Sequence, residues 1–470
     1  MRPYFFFCTF LLLLCSASVS TQPLNWPNKI DPALRTRIQA EGPSEFLVIL
    51  SAQADVSAAN KLTDKEEKGR YVYETLLQLA ESTQGPVRKV LNDAQALRRL
   101  GHEVAWVTAP DACPALQGDG FDLFAAGPTF EASRGEFRTA HAGAAGLTGE
   151  SLSAYTFPRL FGAVLGPAML EGVERAARTW RPDFVVSEPA ALAVPLVCRQ
   201  LGLRHATHGY GLRPPREYVE EAMNFFGPYW RARGLDVPAD GGLHRHLDLD
   251  IAPASLQAST GPQDGRVFRF NAYHPATTMP TALPAELQAA LQQTPARRPR
   301  IYVTFGTVFN RSPALLVAAR AAALLGGTVV VTVGPDGDLP GLAQLGAHVH
   351  VHRFVDQGAL LPYCDAVVSH GGAGSMLGAA AHGLPHLVLP QAADHFRNAR
   401  AISRVSAGSS VDSERQSVEA VSTELSKLLA DGAMSVGATL LAREMAAMHD
   451  AAAAARMLER WHSCTPLVSG

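Results

Sequence analysis

Short apolar runs alternate with helical periodicity along most of this chain. His102–Thr108, Phe184–Ser187 and Arg204–Thr207 read as strands. So do Ile301–Thr304, Thr328–Val333, His348–His352, Ala366–Val368 and His386–Pro390. Between them, Phe157–Thr179, Ala190–Leu201, Pro313–Leu325 and Met376–His382 carry the helical pattern. Asn398–Val405, Ser417–Ala430 and Val436–Trp461 continue it. Strands bounded on both sides by helices predict an α/β protein with doubly wound parallel sheets. The stretch Pro262–Arg300, rich in Pro, Gln, Thr and Arg, reads as a linker. The predicted division is residues 96–270, residues 300–435, and a C-terminal helix over 436–462.

The first ninety residues break this rhythm. Arg2, the apolar run Tyr4–Leu14 and the small residues Cys15–Ser20 read as a signal peptide over 1–20, which implies export. Residues 21–92 form a short partial α+β segment, with a strand at Phe46–Leu50 and a helix at Asp64–Ala80. This segment resembles the opening of a subtilisin-type protease propeptide. The resemblance implies a subtilisin-like protease as a partner. The other reading is a βα unit recruited into the following domain. On the first reading the following domain is left incomplete, without its first strand; on the second, Phe46–Leu50 pairs beside His102–Thr108 as a substitute strand.

Charge and composition narrow the function classes. A net charge of −2 argues against bulk electrostatic attraction to nucleic acid, so no nucleic-acid partner is expected. The six cysteines lie far apart with no CxxC spacing, and there is no metal signature.

The chemistry concentrates in Val367–Asn398. The apolar run ends at Ser369-His370 and turns through Gly371-Gly372-Ala373-Gly374-Ser375 into a helix. A helix N-terminus offers unpaired N–H groups and a partial positive charge to an anion. Glycines remove the Cβ atoms that would hold that anion away. His370 stands ready to donate to a phosphoryl oxygen, and Asp394 to accept from sugar hydroxyls. A glycine-bearing βα turn also occurs without any ligand. The flanking His and the downstream Asp make this one a diphosphate cradle beside a carboxylate, which suits a nucleotide-sugar.

Residues from about Ala96 to Trp461 resemble a glycosyltransferase of the GT-B fold, built from two Rossmann-like halves. The family includes plant and animal glucuronosyl- and glucosyltransferases and bacterial macrolide-type antibiotic glycosyltransferases. The resemblance is densest over His352–Ala399. It implies that Phe354 stacks the base, that the backbone of Val355 reads the base edge, and that Gln357 reaches the ribose. It further implies that His370, Gly372, Ala373, Gly374 and Ser375 hold the diphosphate, with Thr307 adding a phosphate contact. Asp394 would hold sugar hydroxyls, beside His395 where the family usually has Gln. The implied substrates are a UDP- or dTDP-sugar donor and a small hydrophobic acceptor, with no cofactor beyond the donor. The family often has Glu where this chain has Gly378, which favours a deoxyribose nucleotide such as a dTDP-sugar.

The family also places a catalytic His after its first strand, and residues 1–101 contain no histidine. Inverting transfer needs a base for the acceptor proton. Glu188, at the end of Phe184–Ser187, is the candidate, either as the base or as the orienter of a histidine. Its alternative reading is a polar strand-end residue beside Pro189. His141, His205 and His208 are further candidates for the base. The aromatic residues Phe157–Phe161, Phe225, Phe226, Tyr229 and Trp230 are expected to shape the acceptor side or the core. Three other functions fit parts of the pattern. They are a catalytically impaired nucleotide-sugar-binding protein, a protease-inhibitor module, and a nucleotide-sugar epimerase.

Overall fold

The computed structural model describes residues 4–8 and 97–464, apart from residues 99, 114–120, 130–131, 134, 138–146, 259–265, 274–281, 307–308, 335–340 and 343. The strands are β1 Tyr4–Cys8, β2 Glu103–Thr108, β3 Asp122–Ala125, β4 Phe184–Ser187, β5 Arg204–His208, β6 Leu247–Asp250 and β7 Arg266–Arg269. They are followed by β8 Arg300–Thr304, β9 Thr328–Thr332, β10 Val349–His352, β11 Ala366–Ser369, β12 His386–Val388 and β13 Gly408–Ser410. The first seven form one sheet in the order β3-β2-β1-β4-β5-β6-β7, and the other six a second sheet in the order β10-β9-β8-β11-β12-β13. Every pairing in both sheets is parallel. This is the expected two-domain α/β architecture. Sheets covered on both faces need strands apolar on both sides, and Thr328–Thr332 is buried at every position.

Both sheets reverse direction beside their first strand, between β1 and β4 and between β8 and β11. Ligands bind such sheets in the crevice outside the carboxyl ends at this reversal. Ser187-Glu188 leaves β4 there, and Ser369-His370 leaves β11 there.

The N-terminal reading needs correction. Tyr4–Cys8 does not stand outside the fold but is an interior strand of the first sheet. It pairs with β2 from Tyr4↔Glu103 to Cys8↔Val107, and with β4 from Phe5↔Phe184 to Cys8↔Ser187. The place expected to have been taken by residues 21–92 is therefore filled, and the first sheet is not incomplete. The physical reason is simple: a signal-peptide core and a buried parallel strand are both short apolar runs. Phe46–Leu50 and Asp64–Ala80 lie outside the described residues.

Other elements differ in extent. The linker stretch Pro262–Arg300 contains β7 and a helix, Ala285–Gln293, whose Leu287 and Leu291 are buried. The predicted C-terminal helix is two helices, Gly432–Ala446 and Ala451–Cys464. The second returns to the first sheet, where the Trp461 ring meets Phe184 edge-on at 4.9 Å and its carbonyl accepts from Arg204 Nη1. One buried apolar cluster joins Val104, Phe184 and Leu247 of the first sheet to Leu441, Leu458 and Trp461 of these closing helices. These helices tie the two halves together, and the segments that leave the carboxyl ends of β5 and β11 meet across the cleft, Gly211 against Ala373.

Candidate functional site: a helix N-terminus between two sheets

The donor-side turn is built by close backbone packing. Gly371 sits at φ +89°, and a Cβ there would come within 2.6 Å of Val388 Cγ1. A Cβ on Gly372 would lie 2.5 Å from His370 Nε2. Both positions therefore demand glycine, the first by conformation and space, the second by space alone. The helix following the turn is Ala373–Ala381, so it starts three residues before the predicted Met376. Gly372 is its N-cap and no side chain caps it. The leading N–H groups of Ala373, Gly374 and Ser375 are therefore available to an anion. Ser375 is itself buried, so it presents little beyond its backbone and hydroxyl edge.

Beneath the turn, Ser369 Oγ accepts from Gly371 N at 2.9 Å and lies 2.8 Å from His386 Nε2 on the neighbouring strand. The other sheet repeats the device: Ser187 Oγ lies 2.8 Å from His205 Nε2. His386 pairs with Val367 and His205 with Val185, each two residues before its serine. Both strand ends that face the cleft are thus braced in the same register. Burial pushes the His205 and His386 pKa values down to about 3, so both rings are neutral.

His370 is buried and lies among Phe305, Phe309 and His395, with the two imidazoles edge to face at 4.5 Å. Burial first, then the neighbouring His395, holds His370 well below its ordinary pKa. His395 Nδ1 accepts from the backbone N–H of Gln391 at 3.3 Å and of Ala392 at 3.1 Å. That fixes its proton on Nε2. Burial lowers its pKa to about 3. His395 is therefore a neutral donor of fixed tautomer. Asn398, fully buried, donates to Asp394 Oδ2 and to the Gly371 carbonyl, both at 2.8 Å. One amide thus ties the carboxylate to the turn.

The remaining sequence candidates on this side are dispersed. Val355 is buried and Phe354 half-buried, just before the helix Gln357–Leu360. The Gln357 amide donates to Tyr302 Oη at 3.4 Å, and its Oε1 lies 3.2 Å from where a Gly378 Cβ would stand. Gln357 thus packs inward over Gly378. Thr307 lies outside the described residues.

Across the cleft, Glu188 is buried after β4, and its Oε2 accepts from Ala190 N at 2.8 Å. His205 is bound to Ser187. His208 is buried, with Nδ1 2.8 Å from the Gly209 carbonyl and its ring edge-on to Phe270. These contacts account for both histidines structurally. His141 lies outside the described residues. The aromatic patch divides: Phe226 and Trp230 belong to the core, whereas Tyr229 is exposed. Phe157 contacts Phe161 at 4.9 Å and Tyr218 at 5.9 Å. The helix Gly149–Phe157 reaches the donor side directly. Ser153 Oγ donates to the Ala393 carbonyl at 2.7 Å, and Glu150 pairs with Arg400.

Sequence reasoning passed over Tyr210, Gly211, Arg397 and Asn398. Arg397 Nη2 donates to the Leu212 carbonyl at 3.0 Å, so the segment after β5 meets the donor half. Desolvation of its hydroxyl, then the charge of Glu188, raises the Tyr210 pKa, with Arg397 opposing and Asp394 adding to the rise. The signal within reach was the glycine pair in His208-Gly209-Tyr210-Gly211, directly after a strand.

Comparison with known proteins agrees with the two-sheet α/β fold. Residues 95–306 match the N-terminal domain and residues 317–460 the C-terminal domain of the erythromycin biosynthesis protein CIII-like family. The chain is 30% identical over 275 residues to the L-demethylnoviosyl transferase of Streptomyces niveus, covering 57% of this chain and 69% of that protein. It is 31% identical over 325 residues to the elloramycin glycosyltransferase ElmGT of Streptomyces olivaceus, covering 67% and 79%. Among solved structures, the spinosyn rhamnosyltransferase SpnG complexed with thymidine diphosphate is 27% identical. It superposes with a TM-score of 0.60 over 78% of this chain and 95% of that one.

Proposed function

Because the chain belongs to the erythromycin biosynthesis protein CIII-like family of glycosyltransferases, we propose that it transfers a hexose from a nucleoside diphosphate sugar to a hydroxyl of a small hydrophobic acceptor. The observation that carries this is the uncapped helix N-terminus at Gly372–Ser375, set at the sheet's reversal point beside two neutral imidazoles and Asp394. The diphosphate rests on the N–H groups of residues 373–375, within reach of His370. Neutral histidines suit this task because they donate without needing a charge to be desolvated. Asp394, held by Asn398, accepts from sugar hydroxyls. A dTDP-sugar is the preferred donor. The absence of a carboxylate at Gly378 favours a deoxyribose nucleotide, and the similar SpnG was solved with thymidine diphosphate.

In the reaction, the acceptor oxygen attacks the anomeric carbon from the side opposite the diphosphate. The new C–O bond forms as the old one breaks, and its electron pair leaves with the nucleoside diphosphate. Glu188 takes the acceptor proton. The developing charge on the leaving group is met by the helix N-terminus and the imidazole N–H groups, already oriented before reaction.

A second reading, a nucleotide-sugar-binding protein impaired in catalysis, is favoured by one observation: no histidine occurs in residues 1–101. One assay separates the two. The protein is incubated with dTDP- and UDP-hexoses and hydroxylated hydrophobic aglycones, and products are read by mass spectrometry. The proposal expects a glycosylated aglycone and free nucleoside diphosphate. Glu188→Gln is expected to lower kcat by about 10²–10⁴-fold, the usual worth of a general base, while leaving donor affinity intact. Donor binding without transfer would favour the impaired protein. Neither binding nor transfer would overturn both.

A further inference from the structure

The segment Gly209–Arg213 leaves the end of β5 and crosses towards the donor half. It is fixed from the acceptor side at three points. Gly209 N donates to the Leu249 carbonyl at 2.8 Å, and Arg213 N donates to Gln257 Oε1 at 3.1 Å. The Arg213 guanidinium lies 2.8 Å from Asp248 Oδ2 and 2.9 Å from Asp250 Oδ2, both carboxylates being buried and the arginine largely so. His244 adds to Asp248 and Arg269 to Asp250, each at 3.4 Å. A buried pair of carboxylates is retained only when its charge is answered, and here the answer comes from the segment itself.

From the donor side the segment is gripped twice. Arg397 donates to the Leu212 carbonyl at 3.0 Å. Gly211 is buried against the first residue of the helix that follows the glycine turn: a Cβ on Gly211 would stand 2.6 Å from Ala373 Cβ. Two carbons are not tolerated at that distance, and Ala373 cannot yield without carrying its backbone along. The φ angle of Gly211 lies outside the left-handed region, so an alanine there meets no conformational barrier. The glycine is required by the approach of the opposite wall.

We propose that Gly209–Arg213 is a positioning strap between the two halves, and that the Gly211–Ala373 contact sets how closely the acceptor wall stands over the diphosphate-binding N-terminus. The proposal rests on the reading of Gly372–Ser375 as the donor cradle. With glycine at 211 the wall closes onto the first turn of the helix. With a methyl group it stands off, and Arg397 and Tyr210 move with it. The strap therefore acts on nucleotide affinity through distance rather than through a contact of its own with substrate.

The test is a double-variant cycle read by calorimetric titration of the full chain with dTDP. Gly211→Ala is expected to weaken binding tenfold or more. Adding Ala373→Gly removes the second methyl while keeping the backbone N–H. The double variant is expected to bind as tightly as Ala373→Gly alone. A general loss of packing would not be repaired by a second deletion. The inference is overturned if Gly211→Ala binds as the wild type does, or if the double variant stays as weak as Gly211→Ala. Either result leaves the cradle reading intact when the wild type binds and His370→Ala does not. If the wild type binds neither dTDP nor UDP, the cradle reading fails. The strap is then judged by thermal unfolding of the same four proteins. A depressed Tm in Gly211→Ala that the second substitution restores supports it, and no restoration overturns it.

Discussion

Replacing His395 with glutamine isolates the titration of one buried imidazole from that of the rest of the protein. The imidazole accepts two backbone N–H groups at Nδ1, from Gln391 and Ala392. Protonating it would set a third donor against those two, in a buried position. Its folded pKa is accordingly near 3, against about 6.5 for an exposed histidine. The folded value is depressed, so the unfolded chain takes up the proton first. The stabilisation is complete above about pH 6.5 and is lost as pH falls from there towards 3. The expected loss is about 1 kcal/mol at pH 5.5 and about 3 kcal/mol at pH 4.5. Glutamine reproduces the acceptor with Oε1 and the donor with Nε2, yet does not titrate. Urea unfolding of both proteins at pH 7.5 and 5.5 reads the difference. His205 and His386 are depressed in the same direction, owe nothing to His395 and occur in both chains, so their contributions cancel; the depression of His370 owes most to burial, which the substitution keeps. The wild type should lose about 1 kcal/mol more than His395→Gln on this drop in pH. Parallel losses in the two proteins would refute the assigned tautomer and the burial argument together.

Two further outcomes follow from the fold. Trp461→Ala removes the ring that closes the C-terminal helix onto Phe184; a loss of about 3–5 kcal/mol is expected for a buried aromatic, read as a lowered Tm, and an unchanged Tm would contradict the packing. Expressing the chain without residues 1–8 takes an interior strand from between β2 and β4. It should yield insoluble protein or one lacking a cooperative transition, whereas a soluble product with the full-length Tm would show that β1 is dispensable.

The second half of the fold was legible where its strands are short, buried apolar runs, as in β8, β9, β11 and β12; the Gly-Ser-Ser of β13 carries no such signal. Ile301–Thr304 and Thr328–Val333 differ from the observed strands by a single residue at one end. The first half was harder for three physical reasons. Tyr4–Cys8 sits inside a longer apolar run after Arg2, and nothing local separates a leader from a strand paired on both sides. Leu247–Asp250 reads as polar because its two aspartates find their cations, Arg213, Arg269 and His244, only through the tertiary fold. The helix Ala373–Ala381 begins in Ala-Gly-Ser, a poor helix start by propensity. The start is set by the strand end and turn that precede it.

The site divides along the same line. His370, Asp394 and the glycine turn were readable because they follow two consecutive, paired parallel strands, β11 and β12, joined by a single helix, so that order along the chain fixes order in space. The structure gathers them with His395 and Asn398. The inward packing of Gln357 on Tyr302 and the use of His205 as a brace for Ser187 depend on neighbouring strands. So does the strap at Gly211, whose requirement for glycine comes from a residue 162 positions later in the chain, Ala373.

The central claim is that a nucleoside diphosphate binds on the N-terminus of Ala373–Ala381 beside His370. Titrating the wild type and His370→Ala with dTDP and UDP in a calorimeter tests it most directly. The account expects the wild type to bind, dTDP more tightly than UDP, and the variant to lose tenfold or more in affinity, the loss of about one hydrogen bond to a charged group. Undiminished binding by His370→Ala, or no binding by the wild type, would contradict it.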